Sequence, residues 1–170
     1  MAKETVLFIC LFNSVRSRIA EGLLAVRCGE HYEVRSAGIA PAPISPFAAE
    51  VLYEIGITIL NRQPTSVTAF RGREFDYIVT LCDHAIRANV PLPAGKKMFH
   101  QAFFSPCEVR ANRDEILADF RKLRDRIDTY LAEIFPDYPQ SGIQAGTLQS
   151  LGRQDHSHTG TLTGKAGGNP

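Results

Sequence analysis

The spacing of hydrophobic positions changes along this chain, and each change predicts an element. Thr5 to Cys10 (Thr-Val-Leu-Phe-Ile-Cys) is a short, continuous apolar run rich in strand formers, the pattern of a buried strand. From Ser17 to Cys28, Ile19, Leu23 and Val26 recur at helical spacing and stop before Gly29, so the first unit reads strand, tight loop, helix. Glu33 to Ser36 predicts a second strand closing on Ala37-Gly38. Ser45-Pro46 predicts a helix start, with Val51, Leu52 and Ile55 as the apolar side and Gly56 as the stop. Phe75 to Leu81 is the clearest later strand, and Lys97 to Phe99 is a weaker one leading into the loop around Ser105-Pro106-Cys107. Asn112 with Glu115 has the spacing of a capping box. The helix it opens carries one stripe, Ile116, Phe120, Leu123, Ile127, Tyr130, Leu131 and Ile134, and Pro136 ends it.

Strands alternating with helices predict an α/β layer fold with a parallel sheet, in which ligands bind beyond the carboxyl ends of the strands. The loop at Cys10 and Cys82 both fall at such ends. After Pro136 the composition shifts: 7 of the 13 glycines follow it, aromatics stop at Tyr138, and Ser, Thr and Gln dominate. Residues 1–135 therefore read as one domain and 136–170 as a flexible tail. No internal repeat is visible.

Charge then narrows the possible partners. With 19 basic against 18 acidic residues the balance is near zero, which argues against nucleic acid or an anionic membrane as partner, so anion selectivity must be local. Val6 to Ile9, the apolar run near the start, is too short for a membrane span or a signal-peptide core, and a cytoplasmic protein is expected. Cys10, Cys28, Cys82 and Cys107 are spaced too irregularly for a disulfide framework or a zinc site, and His156 and His158 have no cysteine nearby, so no metal is assigned. In a reducing compartment such thiols can be reactive.

Cys10 is the strongest candidate. A thiol attacks as its thiolate, and a cysteine placed just before a helix start faces backbone N–H groups and the positive end of the helix dipole, which stabilise the anion. Ser17 can add a hydroxyl hydrogen bond. The amides of Leu11, Phe12, Asn13, Ser14, Val15, Arg16 and Ser17 can hold the oxygens of a tetrahedral oxyanion, and the planar fork of Arg16 can pair two of them at once. Asn13 suits the left-handed backbone that such a loop needs. Thiolate chemistry on phosphate or arsenate is the reading, and Cys10-x5-Arg16-Ser17 is specific because it follows a strand and opens a helix.

At this point the chain resembles the low-molecular-weight protein tyrosine phosphatase superfamily, most of all the bacterial arsenate reductases built on that fold. The resemblance covers about residues 3 to 135. It rests on Cys10-x5-Arg16-Ser17 with Asn13-Ser14 inside, Ala20-Glu21-Gly22, Arg35-Ser36-Ala37-Gly38, Ile55-Gly56-Ile57, Phe75 to Asp83, and the Phe120-to-Ile127 helix. It implies a three-layer α/β sandwich with a four-stranded parallel sheet flanked by helices, and a supporting role for Ser36 beneath the loop. It also implies that Cys82 attacks the sulfur of a Cys10–arsenate adduct, expels arsenite and forms a disulfide with Cys10. No bound cofactor is implied. An external reductant is: glutathione or another small thiol, glutaredoxin or thioredoxin.

Two departures from the pattern matter. Asn89 stands where thioredoxin-coupled relatives place a third cysteine, and Ser105-Pro106 replaces the Asp-Pro whose carboxyl acts as general acid. Losing that acid should weaken phosphatase chemistry more than arsenate reduction. Cys107 could resolve the adduct or the disulfide if its loop closes, although a partly buried structural cysteine is the simpler reading. Cys28 reads as core filler, and His84 as either a thiolate-promoting or an incidental neighbour of Cys82. Leu11 and Phe12 wall or cover a pocket, and Phe103 and Phe104 either rim the site or pack on the sheet. A phosphotyrosine or aryl phosphate phosphatase using a Cys10 phosphocysteine is the alternative, and a non-catalytic oxyanion or redox sensor a third possibility.

Overall fold

A computed structural model of the chain describes residues 2–59, 62–109 and 112–140. Strand β1 (Glu4–Cys10) leads through the Cys10 loop into helix α1 (Arg16–Cys28). Next come β2 (Tyr32–Gly38), α2 (Pro46–Tyr53), a 3-10 turn (Val67–Phe70), β3 (Glu74–Thr80), α3 (Asp83–Arg87), β4 (Ala94–His100) and the long α4 (Arg113–Ile134). The strands form one parallel sheet in the order β2-β1-β3-β4. This is the expected four-stranded α/β architecture. It puts the ends of β1 and β3, and so Cys10 and Cys82, side by side.

Parallel strands need cover on both faces, and β1 is buried at every residue from Val6 to Cys10, which is why its apolar run is continuous rather than alternating. At one end of the core Phe8, Tyr32, Tyr77 and Phe135 pack with ring centroids 5.1–6.2 Å apart, mostly edge to face. Tyr138 closes this end. It is buried, and its hydroxyl donates to the Asp128 carboxylate at 2.5 Å. Packing thus runs past Pro136, a few residues beyond the boundary that composition suggested. Beyond Gln140 the expected tail lies outside the described residues.

Several expectations are refined. In α1 it is Leu24 and Cys28 that join Ile19 and Leu23 inside, whereas Val26 is exposed. Ser45 caps α2 by accepting from the Ala48 N–H, but the helix stops at Tyr53, and Gly56 sits in the following turn at φ 80°. Asn112 accepts from the Asp114 N–H, so the reciprocal box with Glu115 does not form. The weak strand is a full seven residues, Ala94–His100. It is an edge strand with mostly exposed positions, and Gly95 lies beneath the Ile78 side chain, so its apolar signal is faint. Helix α3 gives no periodicity signal, because in five residues it buries one side chain, Ala85.

Candidate active site

Residues 11–15 turn sharply from β1 into α1, and Asn13 takes the turn at φ 52°. Its amide donates to Cys10 Sγ at 3.3 Å, while Ser17 Oγ lies 3.0 Å from the same sulfur. Cys10 itself is 1% exposed. The helix cap is Val15, which offers no side-chain acceptor, so no Ser, Thr or Asp competes for the first amides of α1. Those donors are left to an anion. Gly38 makes the close approach possible, since a Cβ there would lie 2.7 Å from Asn13 N and 2.8 Å from the Phe12 carbonyl carbon.

Asn13 anchors the loop from inside. Its Nδ2 donates to Ser17 Oγ and Ser36 Oγ, both at 2.9 Å, and its Oδ1 accepts from the Thr65 N–H at 2.9 Å. Proton bookkeeping then leaves the Ser17 hydroxyl available as a donor. Ser17 Oγ already receives a proton from Asn13, so its own hydroxyl proton is free to point at Cys10 Sγ, the arrangement that stabilises a thiolate. Ser36 likewise receives from Asn13 and donates to Glu21 Oε2 at 2.6 Å. Glu21 is buried against Arg18 (3.1 Å) and reaches Arg62 (2.5 Å). Burial pushes the Arg18 guanidinium pKa down, against the opposing pull of Glu21's charge. Arg18 also donates from Nη2 to the carbonyls of Ile59 and Arg62, while its Nε is buried without a hydrogen-bond partner among the described residues.

Arg16 points the other way. Its Nη1 donates to the Phe103 carbonyl at 3.0 Å, and its Nε is buried with no hydrogen-bond partner. A buried guanidinium N–H with no partner among the described residues, beside a helix start that has no side-chain cap, is a donor set suited to a tetrahedral oxyanion. Arg16 also borders a cavity of about 430 Å³ whose wall includes Leu11, Cys82, His84, Phe104 and Ser105. Cys82 follows β3 as the N-cap of α3 and is 3% exposed. Both Cys10 and Cys82 are free thiols.

The other candidates separate cleanly. Ser36 lies beneath the loop, three hydrogen bonds from the sulfur through Asn13 and Ser17. Ser14 turns its hydroxyl away to the Pro43 carbonyl, so only its backbone can serve an anion. Phe12 is about half exposed, while Leu11 forms part of the cavity wall. Both Phe103 and Phe104 line the cavity; Phe103 packs edge-on to Tyr130 of α4 rather than on the sheet, and Phe104 stands 80% exposed. Cys28 is buried, with its thiol donating to the Asp137 carbonyl. Cys107 is exposed, contrary to the partly buried reading, and the wall of this cavity does not include it. Sequence reasoning gave no role to Arg18, Arg62, Thr65 or the Phe103 carbonyl. A charged pair, Arg18 and Glu21, inside an otherwise apolar helix was the available signal.

This arrangement belongs to a known class. A family model for the low molecular weight phosphotyrosine protein phosphatases matches residues 5–140, and the chain belongs to that family. Within it, the chain is similar to the arsenate reductase of Halalkalibacterium halodurans, 34% identical over 127 residues, which cover 75% of this chain and 91% of the relative. It is also similar to the arsenate reductase of Bacillus subtilis, 32% identical over 133 residues covering 78% and 96%. Among solved structures, the Corynebacterium glutamicum thioredoxin-dependent arsenate reductase is 31% identical with a TM-score of 0.53, over 78% of this chain and 62% of that one. The low molecular weight protein tyrosine phosphatase of T. tengcongensis shares the fold at TM-score 0.60 and 24% identity, over 78% of this chain and all of that one.

Proposed function

We propose that this chain is a thiol-dependent arsenate reductase. The observation that carries the reading is that Cys82 borders the same cavity as the anion clamp Arg16, a cavity that Ser105 also lines. Two thiols near one oxyanion site suit a two-electron reduction, and the carboxylate in the wall, Asp83, is engaged by His100 rather than standing at the Ser105-Pro106 position where the resemblance expects a general acid. The similarity to bacterial arsenate reductases supports the same conclusion.

In this reading the loop amides and Arg16 bind arsenate, and the Cys10 thiolate attacks arsenic and displaces water to give a Cys10–arsenate adduct. The Cys82 thiolate then attacks the Cys10 sulfur. As the S–S bond forms, the electron pair of the S–As bond passes to arsenic, which leaves as arsenite, reduced by two electrons. An external small thiol, glutaredoxin or thioredoxin returns both cysteines to thiols. Cys10 and Arg16 are the catalytic pair and Cys82 the resolving thiol; Asn13, Ser17 and Ser36 hold the nucleophile in place.

Comparing Cys82→Ser with wild type decides the matter. The reductase reading expects arsenate turnover to vanish while phosphate binding stays intact. Full arsenate reduction by Cys82→Ser would remove the resolving step from the mechanism, and fast aryl phosphate hydrolysis indifferent to Cys82 would favour the phosphatase alternative.

A further inference from the structure

A single imidazole brackets Cys82. His100 ends edge strand β4, directly opposite Thr80 in the β3–β4 register. Its Nδ1 lies 2.8 Å from Thr80 Oγ1 and its Nε2 lies 3.2 Å from Asp83 Oδ1. Thr80 is the last residue of β3 and Asp83 the first of α3, so the ring ties together the residues on either side of Leu81-Cys82.

The bonding pattern holds whether the ring is neutral or protonated. The Asp83 carboxylate and the Phe99 carbonyl, 3.3 Å from Thr80 Oγ1, are acceptors. With a neutral ring, the Thr80 hydroxyl donates to Nδ1 and Nε2–H donates to Asp83. With a charged ring, Nδ1–H donates to Thr80 and the hydroxyl turns to Phe99. Nε2 carries its proton to Asp83 in both cases.

This tie matters because Cys82 is not poised for attack. Ile9 pairs with Thr80, and the Leu81 N–H bonds the Ile9 carbonyl at 2.8 Å, which sets Leu81 level with Cys10 and Cys82 one residue beyond. Side chains alternate along extended backbone, and Cys82 is itself extended at φ −157°, ψ 153°. Leu81 therefore shares the side of Cys10, and joining the two sulfurs requires the segment from Thr80 to Asp83 to turn. Backbone bonds from the Leu81, Gln101 and Phe103 N–H groups hold Thr80 and Leu81, whereas the far side of Cys82 rests on helix α3, short and anchored by Ala85, so the side-chain tie from His100 to Asp83 is what restrains that side.

We propose that His100 is a positioning residue for the resolving thiol: it holds the Thr80–Asp83 segment in its resting place, and its release sets how fast Cys82 reaches Cys10. The proposal rests on the reductase reading, in which Cys82 supplies the electron pair that makes the disulfide. His100 itself exchanges neither electrons nor protons in that step.

The test uses the full chain as wild type, His100→Ala, His100→Gln and Asp83→Ala. Two rates are read by mass spectrometry: site-resolved alkylation of Cys82 and Cys10 without arsenate, and single-turnover Cys10–Cys82 disulfide formation with arsenate and no reductant. Loss of the two hydrogen bonds, to Thr80 and to Asp83, should raise both the Cys82 alkylation rate and the disulfide rate by roughly 5- to 10-fold in His100→Ala. Cys10 alkylation and the arsenate KM should stay within about twofold, because the ring touches neither the loop nor Arg16. His100→Gln, whose amide can still donate to Asp83, should return toward wild type, and Asp83→Ala should reproduce His100→Ala from the other end of the bond. Unchanged Cys82 alkylation in both alanine variants, or an equal rise at Cys10, overturns the positioning role. Absence of any Cys10–Cys82 disulfide in wild type overturns the reductase reading instead, and the role of His100 in it falls with that.

Discussion

Replacing Asn13 separates two ways in which one residue shapes the anion loop. Asn13→Ala removes three side-chain hydrogen bonds, to Ser17, Ser36 and the Thr65 amide, from a fully buried site. At about 1 kcal/mol net for each, the loss is roughly 3 kcal/mol. Alanine must also hold the φ of 52°, which adds about 1 kcal/mol relative to glycine. The totals are then about 4 kcal/mol for Asn13→Ala and about 3 kcal/mol for Asn13→Gly, against a typical domain stability of 5 to 15 kcal/mol, so both variants should fold. In urea melts with a slope of about 2 kcal/mol/M, the midpoint should fall by about 2 M for alanine and about 1.5 M for glycine. Phosphate affinity should also drop by about tenfold in each, because ligand binding must now order a loop that folding no longer orders. If both variants melt within about 0.5 M of wild type, or if alanine proves the more stable of the two, the account of how Asn13 pins the loop is wrong.

Three other outcomes follow from the same geometry. Arg16→Lys, which loses the fork and the buried Nε donor, should weaken phosphate binding by about 10- to 100-fold in a calorimetric titration while leaving stability within about 1 kcal/mol. Gly38→Ala should drive its new methyl group into the backbone of Phe12 and Asn13, so phosphate binding should fall more steeply than the urea midpoint. At the far end of the sheet, the Lys96 ammonium and then the Thr5 N–H and hydroxyl hold the Asp76 pKa down to about 2. Its contribution to stability is therefore complete above the unfolded value near 4 and is lost as pH falls toward 2. Asp76→Asn should be less stable than wild type at neutral pH, and the difference should shrink across that acid window in urea melts; a constant difference from pH 7 to pH 2 would contradict the assignment.

Much of the site can be read in the sequence because its parts are contiguous. The strand, the Cys10 loop and the α1 start occupy one stretch, and the chemistry of Cys10, Arg16 and Ser17 needs only their spacing and the helix end. What lies beneath the loop is harder to see, because Ser36 comes from β2 and Arg62 and Thr65 from the connection after α2, and the Arg62–Glu21 bond spans 41 residues. The Arg18–Glu21 pair marks α1 as buried nearly all round, whereas its apolar spacing suggested a single face and placed the exposed Val26 inside. Strand β4 and helix α3 left weak traces for a related reason. One is an exposed edge and the other buries a single alanine, so neither has an apolar period to show. Yet those two elements supply His100 and Asp83, the groups that bracket Cys82.

The central claim is that Cys82 resolves a Cys10 adduct, and disulfide mapping after arsenate exposure tests it most directly. Reduced full-length protein is incubated with stoichiometric arsenate without external thiol, quenched with an alkylating agent, digested and analysed by mass spectrometry, with phosphate in place of arsenate as the control. The account predicts a Cys10–Cys82 disulfide and an equivalent of arsenite with arsenate, and two alkylated thiols with phosphate. Arsenite produced while Cys82 remains a free thiol, or no arsenite at all, would contradict it.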